Sequence, residues 1–180
     1  VRRFVRQSVE AMTSASRRLR HIGATLHNVA AFPSTLQFIM STSNEKVIYT
    51  GTTRVTGGRN GSATSSDGRL AVALSKFGSD GEGTNPEQLL GAGWSACFLS
   101  AIGKAAQVAD VALPADAAVQ TDIDLVQIGD AFQLAARLNV SLPGVDANQA
   151  RALANRAHEI CPYSKATRGN IDVQIHIVDI

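Results

Sequence analysis

Cysteine is scarce in this chain, with only Cys97 and Cys161 among 180 residues. No C-x-x-C or C-x-x-C-H pattern is present, and the N-terminal region lacks the continuous apolar segment of a secretory signal, so the pair is not the disulfide framework of an exported domain. In a reducing compartment a persistent structural disulfide is unfavourable, which leaves buried bystanders, metal ligands or redox chemistry. A metal site needs three or four ligands, and His158 and His176 are the only other candidates, without convincing spacing. Neither a metal nor a cofactor is therefore expected. An uncharged apolar run of eighteen or more residues is also missing, so no membrane-spanning helix is expected. Residues 40–180 carry 11 basic and 14 acidic side chains with the signs mixed. They lack the basic stripe that holds a phosphate backbone, which argues against nucleic-acid binding. No internal repeat of fixed period occurs.

What is present divides the chain in two. Residues 1–39 hold six arginines against the single acid Glu10, a net of +5, and read as an N-terminal extension. Arg-rich, Ser-containing, acid-poor composition is the signature of an organellar transit peptide. The other reading starts the domain at Met40, with Ser41 to Glu45 as a short polar tail and the preceding residues disordered or not part of the native chain. One domain is expected over 40–180, since 44% apolar residues suffice for a core. Its compartment is expected to be the cytoplasm, or an organellar matrix if the extension is a transit peptide.

Within 40–180 the hydrophobic periodicity changes several times. Val47 and Tyr49 alternate with Ile48 and Thr50 as a first strand, and Gly57-Gly58-Arg59-Asn60-Gly61 supplies a turn able to take positive φ. Ser66-Asp67-Gly68 makes a second turn before a strand with Leu70, Val72 and Leu74 on one face. Asn85-Pro86-Glu87-Gln88 has the form of a helix start, with Asn85 as N-cap, Pro86 in the first turn and Gln88 placed for a capping box. That helix carries no charge between Glu87 and Lys104, which predicts a central, buried position. A hairpin turning at Gly129-Asp130 follows, then a helix capped by Asp146 with the inward stripe Ala150, Leu153, Ala154, Ala157 and Cys161. Pro162 closes this helix, and Ile171 to Ile177 form a last alternating strand with Asp172, Gln174 and His176 outward. The order βββ-α-ββ-α-β predicts an α+β fold with two central helices and largely antiparallel sheets.

Cys97 and Cys161 both fall on inward helix faces. If the helices pack together, the sulfurs could come within disulfide reach, which requires Cα atoms about 4.4–6.8 Å apart. Taken singly, a buried cysteine is more often a small apolar side chain. Arg59 is by itself a solvated loop residue, the helix dipole accounts for Glu87, and His158 reads as a surface residue whose charge suits a helix C-terminus.

Four segments in order change the weight of these residues: Gly57-Gly58-Arg59-Asn60-Gly61, Gly83-Thr84-Asn85-Pro86-Glu87-Gln88-Leu89, Gly93-Trp94-Ser95-Ala96-Cys97-Phe98, and Cys161-Pro162-Tyr163-Ser164-Lys165-Ala166-Thr167-Arg168-Gly169-Asn170. Together they resemble the organic hydroperoxide resistance proteins of the OsmC-like superfamily, over about residues 44–180. Trp94, where the family often has another aromatic, and Gly91 are mild departures. The resemblance implies an OsmC-like fold in an intertwined homodimer, and a thiol peroxidase that reduces organic hydroperoxides. It also implies that Cys97 is the attacking cysteine, Arg59 holds the thiolate and the peroxide oxygens, Glu87 orients Arg59, and Cys161 resolves the sulfenic acid. The implied reductant is a dithiol, a lipoyl-bearing protein rather than glutathione. A guanidinium suits its part because it is always charged and presents several donors to S⁻ and a developing alkoxide.

Glu87 and Cys97 are ten positions apart, so on one straight helix they stand about 15 Å apart along its axis. Either the helix breaks, or Arg59 and Glu87 reach Cys97 from a partner subunit. The glycines around Arg59 suggest a hinge that closes on the reduced enzyme and opens on the disulfide. Leu90, Trp94 and Phe98 are expected to form an apolar wall favouring bulky peroxides over hydrogen peroxide. A non-catalytic redox sensor or small-ligand binding protein on the same fold is the alternative, and turnover distinguishes it from an enzyme.

Overall fold

A computed structural model describes residues 45–179; the extension 1–39 lies outside them. The first three strands, β1 (Thr53–Thr56), β2 (Ser62–Ser65) and β3 (Ala71–Ala73), form an antiparallel sheet in that order. The first strand thus lies later than Val47–Thr50. Its partner β2 has four residues and pairs from Thr56↔Ser62 to Thr53↔Ser65, so the preceding residues run past the end of the ladder. Val47, Ile48 and Tyr49 are left 82%, 89% and 80% exposed.

Helix α1 spans Pro86–Val108 without interruption. Asn85 caps it by accepting from the Gln88 N–H at 2.9 Å, but Gln88 does not complete a capping box; its Oε1 accepts from the Thr84 hydroxyl at 2.8 Å. Trp94, Phe98 and Ile102 have no exposed surface, and the helix packs on β4 (Ala118–Ile128) and on α2 (Ala147–Ile160). Only that face is covered. Ala92, Ala96 and Ser100 remain exposed, so burial on all sides is not met within one chain. By length and composition α1 could cross a membrane; its packing makes it the core helix.

β4 and β5 (Ala131–Ser141) form an eleven-rung hairpin from Ala118↔Ser141 to Ile128↔Ala131, with Gly129 at φ 60° in the two-residue turn. The turn is where the sequence placed it. β6 (Asp172–Ile177) lies beside β5 in parallel, not antiparallel, because the chain crosses over through α2 before returning. A short helix, α3 (Pro162–Thr167), adds to the expected order. Pro162 ends α2 as expected, but proline also fits the first turn of a new helix, so the same residue starts α3. The core joins Trp94, Phe98 and Ile102 of α1 to Leu138 and Val140 of β5 and to Leu153, Ala154, Ala157 and Cys161.

Candidate active site

The inward stripe of α2 ends at Cys161, where the backbone turns extended at φ −61°, ψ 124°. Its sulfur meets Cys97, three turns into α1, with the Cys161 thiol directed at Cys97 Sγ over 3.2 Å. Both thiols are free. Their surroundings differ: Cys161 is fully enclosed, whereas Cys97 keeps part of its surface open. Burial pushes the Cys97 thiol up, the backbone N–H of Tyr163 pulls it down, and the Cys161 thiol adds to the rise.

Helix α3 locks onto α1 beside this pair. The buried Trp94 Nε1 donates to the buried Ser164 Oγ at 3.3 Å, and a Cβ on Gly93 would meet the Tyr163 hydroxyl at 2.9 Å. Tyr163 and Ser164 are neighbours of the cysteine pair that single-residue reasoning does not pick out. The signal is present in Cys161-Pro162, since proline favours the first turn of a helix, where the leading N–H groups have no intrahelical acceptors and are free for the Cys97 sulfur.

Arg59 and Glu87 form the other half of the constellation. Arg59 sits in a 3-10 turn, Gly58–Asn60, between β1 and β2. Its Nη1 and Nη2 donate to Glu87 Oε2 and Oε1 at 2.8 and 2.7 Å, a bidentate pair. These hydrogen bonds hold the Glu87 carboxyl below its ordinary range and raise the Arg59 guanidinium further. With both thiols free, the turn carrying Arg59 is anchored, as the closed state of the expected hinge requires. Asn60 N–H donates to Gly57 O, Leu74 N–H to Gly61 O, and Lys76 N–H to Asn60 Oδ1.

The structure brings Cys97 to Cys161 and Arg59 to Glu87, but it does not join the two pairs within one chain. Because α1 is continuous, Glu87 and Cys97 stay about 15 Å apart along its axis. The helix-break expectation is thereby corrected. So is the apolar wall, since Trp94 and Phe98 are wholly inside the core and only Leu90 of the three is partly open. His158 is likewise not a surface cation. Its Nδ1 is buried without a partner among the described residues, and burial, then Arg168, lowers its pKa. Beside Glu87 lies an open groove of about 780 Å³ lined in part by Phe77, Ile123, Leu125 and Phe132. Neither cysteine lines it.

A family profile described as OsmC-like protein matches residues 78–176, which include Glu87, Cys97 and Cys161. An organic hydroperoxide resistance protein of Xanthomonas axonopodis pv. citri is 42% identical over 137 residues, covering 74% of this chain and 96% of that protein. Among solved structures, an organic hydroperoxide resistance protein OsmC from Legionella pneumophila superposes with a TM-score of 0.69 at 39% identity, over 74% of this chain and 100% of that one. The organic hydroperoxide resistance protein OhrB of Bacillus subtilis gives 0.69 at 35% identity, over 73% and 100%.

Proposed function

The chain belongs to the OsmC-like family, in its organic hydroperoxide resistance branch, and on that premise we propose that it is a cysteine-based peroxidase reducing alkyl and lipid-type hydroperoxides to alcohols. The observation that carries this reading is the sulfur pair, 3.2 Å apart with one member open and the other enclosed. Cys97 thiolate attacks the distal peroxide oxygen, the O–O bond breaks, and the alkoxide takes a proton to leave as alcohol. Cys97 becomes a sulfenic acid. The Cys161 thiol then displaces its hydroxyl as water, closing a Cys97–Cys161 disulfide before further oxidation. A dithiol, carried on a lipoyl-bearing protein, returns both sulfurs to thiols.

Attack requires a thiolate, and the single chain works against one, since burial raises the Cys97 pKa while the Arg59 guanidinium is held by Glu87. An intertwined homodimer resolves this by delivering Arg59, oriented by Glu87, from a second copy. Exposed apolar side chains support an assembly: Phe77 and Phe132, each more than half exposed, line one groove, the kind of apolar surface a partner covers. Leu90, Gly93 and Cys97 share one face of α1, and Leu90 with the Tyr163 ring takes over the apolar selectivity first assigned to Trp94 and Phe98.

The test is peroxide turnover with dihydrolipoamide in wild type, Cys97→Ser and Cys161→Ser. Wild type should consume many equivalents of cumene hydroperoxide and far less hydrogen peroxide; Cys97→Ser should consume none. Full activity of Cys97→Ser, or consumption that stops after one equivalent in wild type, overturns the reading.

A further inference from the structure

Resting on the reading that a Cys97–Cys161 disulfide closes each turnover, we propose that the reductant enters through Cys97: its thiolate attacks Cys97 Sγ, and Cys161 is the sulfur that leaves. Access decides the direction. Cys161 has 0% of its surface exposed and lies in the core cluster with Trp94, Phe98 and Ala157, whereas Cys97 is a partly buried neighbour at the edge of that cluster. Thiol–disulfide exchange needs the incoming sulfur to touch the sulfur it attacks. Joining the cysteines closes their 3.2 Å separation to about 2.05 Å, a shift of about 1 Å that leaves Cys161 enclosed. Leaving-group acidity modulates the rate of an exchange, but exposure determines whether the approach exists at all.

The steps balance. The reductant's thiolate forms an S–S bond to Cys97 as the Cys97–Cys161 bond breaks, and the electron pair stays on Cys161, which takes a proton. The second thiol of the reductant, as thiolate, attacks its own sulfur in the mixed disulfide. That step closes a cyclic disulfide and returns Cys97 as thiolate, so two electrons have passed. The geometry also explains why the reductant must be a dithiol. With Cys161 beside the mixed disulfide, a monothiol is expelled by intramolecular return, whereas the second thiol of a dithiol competes through an intramolecular attack of its own.

The full chain oxidised with one equivalent of cumene hydroperoxide is exposed briefly to 2-mercaptoethanol, quenched in acid, alkylated and digested with trypsin. Cys97 falls in the peptide Phe77–Lys104 and Cys161 in Ala157–Lys165. The acid quench protonates Cys161 and so stops the return that would expel the monothiol; the trapped mercaptoethanol adduct is expected on the first peptide and the alkyl label on the second. An adduct on Ala157–Lys165, alone or in equal amount, overturns the proposal. A digest taken before thiol addition that shows no linkage between these peptides counts instead against the peroxidase mechanism itself. The reverse exchange gives a second readout that does not depend on the adduct's lifetime. With the aromatic disulfide dithiobis-nitrobenzoate, Cys161→Ser should react about 100-fold faster than Cys97→Ser, because the enclosed sulfur waits for local opening. Equal rates in the folded variants, with folding checked by circular dichroism, overturn it.

Discussion

His158 shows how one side chain ties stability to pH. Its ring lies 6.5 Å from that of Phe98, with Nδ1 buried and unpaired among the described residues, and burial is the main cause of its lowered pKa. The folded protein therefore keeps this imidazole neutral where the unfolded chain binds a proton, from about pH 6.5 downward. Stability rises with pH across that window and falls on acidification. His158→Phe should flatten the decline of Tm between about pH 7 and 5 relative to wild type; an unchanged decline assigns it to other groups. Ser164 makes a different kind of case. Ser164→Ala leaves the Trp94 indole N–H buried without an acceptor, and chemical denaturation should show a loss of about 1–3 kcal/mol. The same substitution loosens α3, so the Cys97 pKa should rise as the Tyr163 N–H moves away.

At the level of elements, the β1–β2 turn fixes where Arg59 can be. A Cβ on Gly61 would meet Thr56 O at 1.7 Å and Gly57 Cα at 2.8 Å, both backbone. Gly61→Ala must therefore distort the turn. Peroxidase kcat/KM should fall toward that of Arg59→Ala, while Tm changes little because the Trp94 and Leu153 core lies in other elements. A variant retaining full kcat/KM would show that Arg59 does not depend on this turn. Elements with their own local signal were readable in the sequence. Gly129-Asp130 marked the long hairpin, Asn85-Pro86 the start of α1, and Ala150 to Cys161 the buried stripe of α2. Where the decisive partner is distant in sequence, reading failed: the direction of β6 follows from a crossover, and the end of β1 from the length of β2. Pro162 carried two meanings at once, a stop and a start, and only the stop was read. At the site, each pair was anticipated through the family resemblance. The enclosure of Trp94 and Phe98 agrees with the buried helix the sequence predicts but not with the substrate-facing wall it also assigns them, because helical periodicity names an apolar face without saying which neighbour covers it.

For the whole molecule, the proposed mechanism turns on whether the Arg59 that would serve Cys97 lies in the same chain or in a second copy. Within one chain α1 holds Glu87 and Cys97 about 15 Å apart along its axis, with Arg59 fixed to Glu87. Among the described residues β4 pairs only with β5, so its outer edge lies free along the groove beside Glu87. An eleven-residue open edge is a surface a second copy can cover. If Arg59 acts across the interface of a two-fold dimer, two inactive proteins can repair each other. Arg59→Ala supplies an intact Cys97, and Cys97→Ser supplies an intact Arg59. Unfolded together and refolded, random pairing gives half mixed dimers, each with one complete site, so turnover should recover to about a quarter of wild type. If Arg59 acts within its own chain, neither copy in the mixed dimer has both residues and nothing is recovered. The pH profile separates repair from residual activity. Recovered turnover should share the pH profile of wild type, whereas Arg59→Ala alone should need higher pH to ionise Cys97, since burial raises that thiol and no guanidinium opposes it.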